Sequence, residues 1–504
     1  MTVTAVRELP DDDHNRALIA AVHPADWQNP TPRGRYNLVV IGGGTAGLVS
    51  AVGAASLGAR VALVERHLLG GDCLNYGCVP SKALIRAGQA AHDVRTASAL
   101  GVFASIVRGD FPAAMERMRR LRAQIAPHDS AARLAGLGID VFLGEGQFVA
   151  SNAVEVDGQR LGFARAVIAT GARAAVPAIE GLAELGYLTN ESVFSLTELP
   201  RRLVVVGAGP IGCELAQAFR RLGSEVTIVD RSTQLLPRED PDAAAVIAAR
   251  FAAEGIEVVL GATLVRAERR QNGKAILYHR GGEPGEVVGD AILIAIGRTP
   301  NLERLGLQAA GIDATERGVK VDDRLRTTNR RVFAAGDVAS RYQFTHAADA
   351  MARIVLQNAL FFGRKRASGL VIPWCTYTDP EIAHVGLYAH EAEERGLAFT
   401  TLTVPIASVD RAILDGDTEG FARAHVDRKG RILGITLVSR HAGESVGEAV
   451  LAMTHRLRIG ALARAIHPYP TQAEALKKLG DAFQRTRLTP RVRGIFERLL
   501  RWRR

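Results

Sequence analysis

The residues best suited to chemistry are Cys73 and Cys78, in the run Gly70-Gly71-Asp72-Cys73-Leu74-Asn75-Tyr76-Gly77-Cys78-Val79-Pro80-Ser81-Lys82. The 504 residues contain four cysteines, and half of them fall here with four residues between them. Apolar Ala83-Leu84-Ile85 follows, so the pair is expected at the loop-to-helix opening of a helix running toward Gln89. A thiolate in such a place meets backbone N–H groups and the positive end of the helix dipole, which lower its pKa and make it reactive. On their own, two such cysteines read equally well as buried structural thiols or as half of a zinc site. Zinc needs two more ligands at comparable spacing, and Cys213 and Cys375 are single and remote.

The bulk properties narrow the choice. A chain of this length exceeds one core, so two to four domains are expected. No apolar run approaches the roughly 18 residues that span a bilayer. The first 36 residues place Asp11-Asp12-Asp13 ahead of a short apolar patch, unlike a signal peptide. The expectation is a cytoplasmic protein, where cysteine pairs are more often working than stapling. The net charge of +10 suggests a nucleic-acid partner only until its distribution is examined. Arg485 to Arg504 holds eight arginines against Glu497, and the remainder carries 55 basic and 52 acidic residues. For that nearly neutral body, nucleic acid is not the expected partner.

The elements that must position the cysteines are legible on either side. Tyr36-Asn37-Leu38-Val39-Val40-Ile41 reads as a strand running into Gly42-Gly43-Gly44-Thr45-Ala46-Gly47, followed by an Ala-rich helix and a strand, Val61 to Val64, ending in Glu65. Strand, G-x-G-x-x-G, helix, strand, acid is a dinucleotide fingerprint. Its glycines permit a tight turn and close approach to a pyrophosphate, and its acid reaches a ribose hydroxyl. The pattern recurs in Arg202 to Val206, then Gly207-Ala208-Gly209-Pro210-Ile211-Gly212, a helix, and Glu225 to Val229 ending in Asp230. Two such units indicate an internal duplication. Val167 to Thr170 with Gly171, and Ile292 to Ile296 with Gly297 and Arg298, are short strands ending in glycine, each letting backbone pass near a cofactor. Asp337 follows the strand Arg331 to Ala335, where it either accepts from a cofactor hydroxyl or caps a helix. Beyond Val371 the fingerprint disappears and a separate α+β domain is expected.

Taken in order, Cys73 to Lys82, the two G-x-G-x-x-G units, Ala169-Thr170-Gly171, Gly336-Asp337 and the closing Pro470-Thr471-Gln472-Ala473-Glu474 resemble the FAD-dependent pyridine nucleotide–disulfide oxidoreductases. That group includes dihydrolipoamide dehydrogenase, glutathione reductase and mercuric reductase. The resemblance runs from about Asn37 to Phe483. It implies two Rossmann-like α/β dinucleotide-binding domains, for FAD and NAD(P), and a C-terminal α+β dimerisation domain. The boundaries follow as an N-terminal arm (1–36), a first FAD-binding segment with the redox disulfide (37–190), the NAD(P)-binding domain (191–297), a second FAD-binding segment (298–370), the dimerisation domain (371–484) and a basic amphipathic tail (485–504).

Position by position, the resemblance implies that Gly42, Gly44, Gly47 and Glu65 hold the FAD adenosine and pyrophosphate. Gly146, Thr170, Gly171, Asp337 and Thr345 complete the FAD site. Lys82 lies near the flavin and pairs with Glu214. Gly207, Gly209, Gly212, Asp230 and Gly297 serve the nicotinamide dinucleotide. Cys78 is implied as the thiolate in charge-transfer contact with the flavin, and Cys73 as the interchange thiol. Tyr469 and Glu474 are implied to reach the other subunit's disulfide in a homodimer. Electrons then pass from NAD(P)H via FAD to the Cys73–Cys78 disulfide and on to an acceptor.

Departures from the family bear on the acceptor. Dihydrolipoamide dehydrogenase and glutathione reductase carry His-x-x-x-x-Glu where this chain has Tyr469 and Glu474, and tyrosine is a poor general base at neutral pH. His467, two positions earlier, is the substitute candidate. A tyrosine in this place is found in mercuric reductases, because a soft metal ion needs thiolates rather than a base. Those enzymes end in a vicinal Cys-Cys and carry an N-terminal metal-binding domain, and neither is read here. A small-dithiol reductase and a docked redox sensor are the alternative readings. Asp230 favours NADH and Arg231 and Arg238 favour NADPH, with the balance toward NADH. In the tail, Val492, Ile495, Phe496, Leu499 and Leu500 share a helical face among arginines, with Trp502 at the end. This predicts contact with a membrane surface or partner through 491–504.

Overall fold

The computed structural model describes residue 6, residues 8–104 and residues 109–504; the first residues of the expected arm lie outside these. The described chain divides into two compact units, one running up to Thr233 and resuming over Glu254–Leu370, the other formed by Gln234–Ala253 and Val371–Arg504. The segment Gln234–Ala253, expected within the 191–297 domain, groups with the second unit.

The first unit holds both dinucleotide folds. In the first, strands Ile139–Leu143, Val61–Glu65, Tyr36–Ile41 and Gln159–Ile168 lie side by side in that order, joined by parallel pairing, with Val332–Ala334 parallel to the last. Leu38 pairs with Val61 and Arg165, and Val40 pairs with Leu63 and Val167. These strands read as continuous apolar runs because parallel sheets are covered on both faces. Val39, Ala62, Phe142, Phe163 and Ile168 lie in one core cluster. The second fold repeats the plan with strands in the order Glu257–Leu260, Glu225–Asp230, Arg202–Val206, Ala291–Ile294, all parallel. A three-stranded antiparallel sheet, Ala262–Arg270, Gly273–Arg280 and Glu283–Gly289, adjoins it.

Two helix pairs set the geometry of the site. The helix Thr345–Leu360 packs across Thr45–Ser56, where Gly53 leaves room for Leu356. Cys78–Thr96 packs across Pro210–Leu222, with Gly88 against the backbone of Ala218. A Cβ at Gly53 would displace the tip of Leu356, and one at Gly88 would press on the Ala218 backbone at 3.1 Å. The helix at Cys78 runs a full turn and more beyond the expected end near Gln89, to Thr96. The arm also contains a helix, Asp13–Val22, whose N-cap Asp12 accepts from the Asn15 amide and which buries Leu18 and Val22.

The second unit is built on a five-stranded antiparallel sheet in the order Pro373–Thr376, Glu381–Gly386, Ile432–Ser439, Phe421–Val426, Thr400–Pro405. Its core includes Ile435 and Leu437 from the sheet, Val446 and Ala449 from helix Ala442–Thr454, and Leu476, Leu479 and Phe483 from helix Glu474–Arg487. Gln234–Ala253 is anchored here: Trp374 Nε1 donates to Glu239 at 2.8 Å, Tyr388 donates to the same carboxylate, and Arg423 pairs with Asp240 and Asp242 at 2.7 Å each. The chain ends in helix Pro490–Trp502, started by the Thr489 hydroxyl accepting from the Val492 amide.

Candidate active site

Cys73 and Cys78 are placed by different helices. Cys73 lies inside a one-turn helix, Gly71–Asn75, whereas Cys78 is the first residue of the long helix Cys78–Thr96. The expected shared loop-to-helix opening is therefore two elements hinged at Tyr76 and Gly77. Asn75 is fully buried and ties this hinge to its own start, donating from Nδ2 to the Leu69 and Gly71 carbonyls at 3.1 and 2.8 Å. Both cysteines are present as free thiols; Cys73 is half-buried and Cys78 exposed.

The two sulfurs are inequivalent. The Cys78 thiol is pulled down to about 6, first by a hydrogen bond from Cys73, and then by the Thr345 hydroxyl and the Lys82 ammonium. Thr345 is the first residue of its helix, and its Oγ1 lies 3.4 Å from Cys78 Sγ. The helix dipole acts in the same direction. Cys73 is pushed up by its donation to Cys78, by burial and by the charges of Cys78 and Asp72. The surroundings thus favour a thiolate at Cys78 and a protonated thiol at Cys73.

Lys82 is one helical turn beyond Cys78, and its Nζ donates to Glu214 Oε2 at 2.8 Å. Glu214 is buried in the helix that follows the second fingerprint, so this pair ties the redox helix to the second fold. Three residues that sequence reasoning did not single out complete the surround. Asp72 accepts from Asn190 Nδ2 at 2.9 Å and from Arg298 Nη1 at 3.2 Å, while Arg298 Nε also faces Asp337 Oδ2 at 3.4 Å. Against its burial, Arg298 is held cationic by the carboxylates of Asp72 and Asp337, and burial pushes the Asp337 carboxyl up despite that cation. Asp72 and Arg298 stand beside the motif residues Cys73 and Gly297, which was the available signal; Asn190 had none.

The fingerprint glycines form a cradle suited to a dinucleotide. A Cβ on Gly42 would lie 2.3 Å from the Ala169 carbonyl, and one on Gly47 would lie 1.8 Å from that of Gly42. The helix beginning at Thr45 has Gly44 as N-cap, with no side-chain cap and no acid in its first turn, leaving its amides for an anion. Glu65 accepts from the Gly43 amide at 2.5 Å and the His67 amide at 2.7 Å, which fixes the acid at the strand end. The residues fit FAD. Gly146 packs against the tips of Ile41 and Val64, Thr170 and Gly171 are locked to Asn301, and Gly171 adopts φ +65°. In the second fold Gly209 caps its helix in the same bare way, and Asp230 accepts from the Ala208 and Ser232 amides at 2.7 and 2.6 Å. Gly297 adopts φ +140° with open space where a side chain would stand. Arg231, one of the two arginines weighed for a 2′-phosphate, is exposed, and Arg238 belongs to the second unit.

His467, Tyr469 and Glu474 belong to the second unit and have partners within it. Tyr469 is 74% exposed and donates to Asp410 Oδ2 at 2.8 Å, which raises its pKa. His467 Nε2 pairs with Glu448 Oε2 at 2.9 Å, not with Glu474. Glu474 opens its helix beside Lys478 at 3.6 Å, and its Oε2 is buried without a hydrogen bond.

Comparison with known proteins agrees with this construction. The family described as pyridine nucleotide-disulphide oxidoreductase matches residues 36–352, and its dimerisation domain matches residues 372–479. A mercuric reductase of Bacillus cereus is 37% identical over 444 residues, 88% of this chain and 70% of that protein. A dihydrolipoyl dehydrogenase of Thermus scotoductus is 33% identical over 464 residues, 89% of this chain and 98% of that protein. Among solved structures, the HOCl-induced flavoprotein disulfide reductase RclA of Escherichia coli superposes with a TM-score of 0.79 at 31% identity, covering 89% of this chain and 99% of that one. The same reductase has also been solved as a Cu(II) complex. The chain belongs to the FAD-dependent pyridine nucleotide–disulphide oxidoreductases, and its dimerisation domain supports a homodimer.

Proposed function

From that membership, we propose that this mercuric reductase-like flavoprotein disulfide reductase passes its electrons to a soft metal ion taken up by Cys73 and Cys78. FAD, when bound, supplies the two-electron relay between NAD(P)H and the cysteine pair. The protein's role is to keep Cys78 as thiolate beside Lys82 and Thr345, to hold Cys73 protonated until it acts, and to anchor Lys82 through Glu214. On this reading Gly42, Gly44, Gly47 and Glu65, with Gly146, Thr170, Gly171, Asp337 and Thr345, carry FAD. Gly207, Gly209, Gly212, Asp230 and Gly297 carry the nicotinamide nucleotide, with the carboxylate of Asp230 favouring NADH over a 2′-phosphate.

The observation that carries the metal reading is Tyr469. Its hydroxyl is spent on Asp410 and is held more firmly protonated than a free tyrosine, so it is no base for releasing a thiol. A thiolate-bound metal needs no such base. The relatives named mercuric reductase and the Cu(II) complex of RclA support the same class of acceptor. The test is NADH and NADPH oxidation with Hg(II) in excess thiol, Cu(II), lipoamide and glutathione disulfide in parallel. Metal-dependent turnover is expected to exceed both disulfides; faster turnover of either disulfide would overturn the proposal.

A second reading rests on the His467–Glu448 pair, an oriented imidazole of the type used in thiol exchange. It predicts lipoamide or glutathione disulfide turnover that disappears in His467→Ala.

The basic tail enters as a cytoplasmic, peripheral contact with anionic lipid through 491–504. No residue of helix Pro490–Trp502 is buried, and Ile495, Phe496, Leu499, Leu500 and Trp502 are all exposed beside the helix's four arginines. Among the described residues no helix is long and apolar enough to cross a membrane. Flotation with phosphatidylserine-containing vesicles should retain the full chain and lose the protein truncated after Pro490; equal flotation removes this contact.

A further inference from the structure

The arm preceding the family match at residue 36 is docked against the segment that carries the cysteines. Four contacts run from it to residues 67–76. The ring of His23 meets the His67 carbonyl through Nδ1, and the Leu69 amide donates to the Val22 carbonyl at 3.3 Å. Tyr76 donates its hydroxyl to Glu8. Arg122, on the helix Phe111–Ile125, makes the fourth link: Nη1 donates to the Asn75 carbonyl at 2.7 Å and Nη2 to Asn15 Oδ1 at 2.6 Å, with Glu8 Oε2 3.6 Å away.

Arg122 is 2% exposed. A buried guanidinium costs several kcal/mol unless paired and hydrogen-bonded, so its site persists only while its partners are in place. Two of those partners, Glu8 and Asn15, come from the arm, and the third is the backbone of the hinge between the cysteines. The neighbouring Arg119–Asp12 pair at 2.5 Å holds the arm's helix to the same helix, with Leu18 and Val22 sealed beneath. Without the arm, Arg122 would face water or an unpaired interior, and the Asn75 carbonyl and Tyr76 hydroxyl would lose their anchors together.

We propose that Arg122, held by Glu8 and Asn15 of the arm, is a positioning residue for the Cys73–Cys78 pair, fixing the Asn75 carbonyl at the entry to the Tyr76–Gly77 hinge so that the two sulfurs stay within bonding reach. The proposal rests on the disulfide-reductase reading of these cysteines and extends it to a segment outside the family's own domain. Its physical content is effective concentration. Two thiols on a braced hinge close a disulfide more readily than two on a loose one, because less chain entropy is lost on closure. In a glutathione buffer, closure forms one S–S bond in the protein while glutathione disulfide is reduced to two glutathione thiols, so the equilibrium reports the brace directly.

The experiment equilibrates the purified holoenzyme with glutathione redox buffers, traps thiols with an alkylating reagent and measures the oxidised fraction of Cys73–Cys78 by mass spectrometry. Hydrogen exchange over residues 70–78 is read in parallel. Glu8→Ala should lower the closure equilibrium constant by about tenfold, equivalent to about 30 mV, and raise exchange across the hinge. Glu8→Gln, which keeps an oxygen acceptor for Tyr76, should recover most of both. Arg122→Met should exceed Glu8→Ala; should it fail to fold, the two Glu8 variants still decide. A closure constant and exchange pattern in Glu8→Ala equal to the parent's would overturn the proposal. Failure of the underlying reading would look different: the parent's own Cys73–Cys78 pair would form no disulfide in any of these buffers.

Discussion

Gly42 and Gly207 sit at φ +108° and +120°, and a Cβ on either would strike a carbonyl, that of Ala169 at 2.3 Å or Ala295 at 2.4 Å. Gly47 and Gly212 repeat the match, each crowding the first glycine of its own fingerprint at 1.8 and 2.0 Å. Glu65 and Asp230 each accept from a backbone amide inside the fingerprint turn. Up to this point the two folds are one design used twice. They diverge at the middle glycine. Gly44 lies against Gly71, the first residue of the helix that holds Cys73, whereas a Cβ at Gly209 would meet nothing within 4 Å. The first fold is thus built into a reactive loop, and the second offers an open nucleotide cradle. The cysteine of the second fold shows the same contrast: Cys213 is fully buried and donates to the Ala208 carbonyl at 3.4 Å, as a packed structural thiol does. Similar scaffolds therefore carry different chemistry because of what the chain does after the second strand.

The sharpest way to break this comparison is at the sulfurs. Cys73→Ser and Cys78→Ser should each cut acceptor turnover by at least about 10³-fold, as removing one member of a concerted set does. Cys213→Ala should leave turnover intact and cost about 1 kcal/mol of stability, seen as a small fall in the thermal midpoint. Equal losses at all three positions would erase the distinction between the folds.

The glycines come next. Gly47→Ala should yield protein that is colourless or unstable by roughly 3 kcal/mol, because the clash is with backbone and cannot be relieved by a rotamer. Gly212→Ala should keep its flavin absorbance but lose flavin reduction by NADH. If both variants lose colour, the two cradles are not independent.

The Lys82–Glu214 pair tests how far one fold tunes the other. An ammonium beside a thiol favours the anion, so its removal raises the thiol's pKa. Alkylation of Cys78 in the reduced enzyme should rise with pH through about 6. In Lys82→Met that midpoint should move up by about one unit. An unmoved midpoint would assign the low pKa to Cys73 and Thr345 alone.

The smallest effect is expected at Asp230. Asp230→Asn keeps the acceptor but removes the charge, so KM for NADH should rise about fivefold, near 1 kcal/mol, and the NADPH-to-NADH ratio should increase. A ratio that stays put would place nucleotide choice elsewhere.

Much of this arrangement is legible in the chain. Both fingerprints, their terminal acids, the C-x4-C pair and the apolar strands are local signals, because glycine positions and strand periodicity act over a few residues. Family resemblance pairs Lys82 with Glu214, and the structure brings them to 2.8 Å. Other features are out of local reach. The apolar stretch after Cys78 closes near Gln89, while packing on Pro210–Leu222 carries the helix on to Thr96. By position Gln234–Ala253 reads as a piece of the second nucleotide fold, yet Glu239, Asp240 and Asp242 find Trp374, Tyr388 and Arg423 within the second unit, to which the segment itself belongs. Asp72 and Arg298 are 226 positions apart, and no local pattern pairs them.

What the sequence determined alone was the identity of the pieces: two nucleotide cradles, one reactive cysteine pair, a domain of another kind and a basic amphipathic end. Each is written in short-range spacing, which holds whatever the rest of the chain does. The surroundings of the charged sulfur, which family resemblance already places at Cys78, were completed only by tertiary structure, since Thr345 comes from 267 residues away to reach it. So was the docking of the arm on the hinge, where Glu8 meets Tyr76 across 68 residues. Those relations depend on burial and on partners converging from distant segments, and such convergence exists only once the chain has folded.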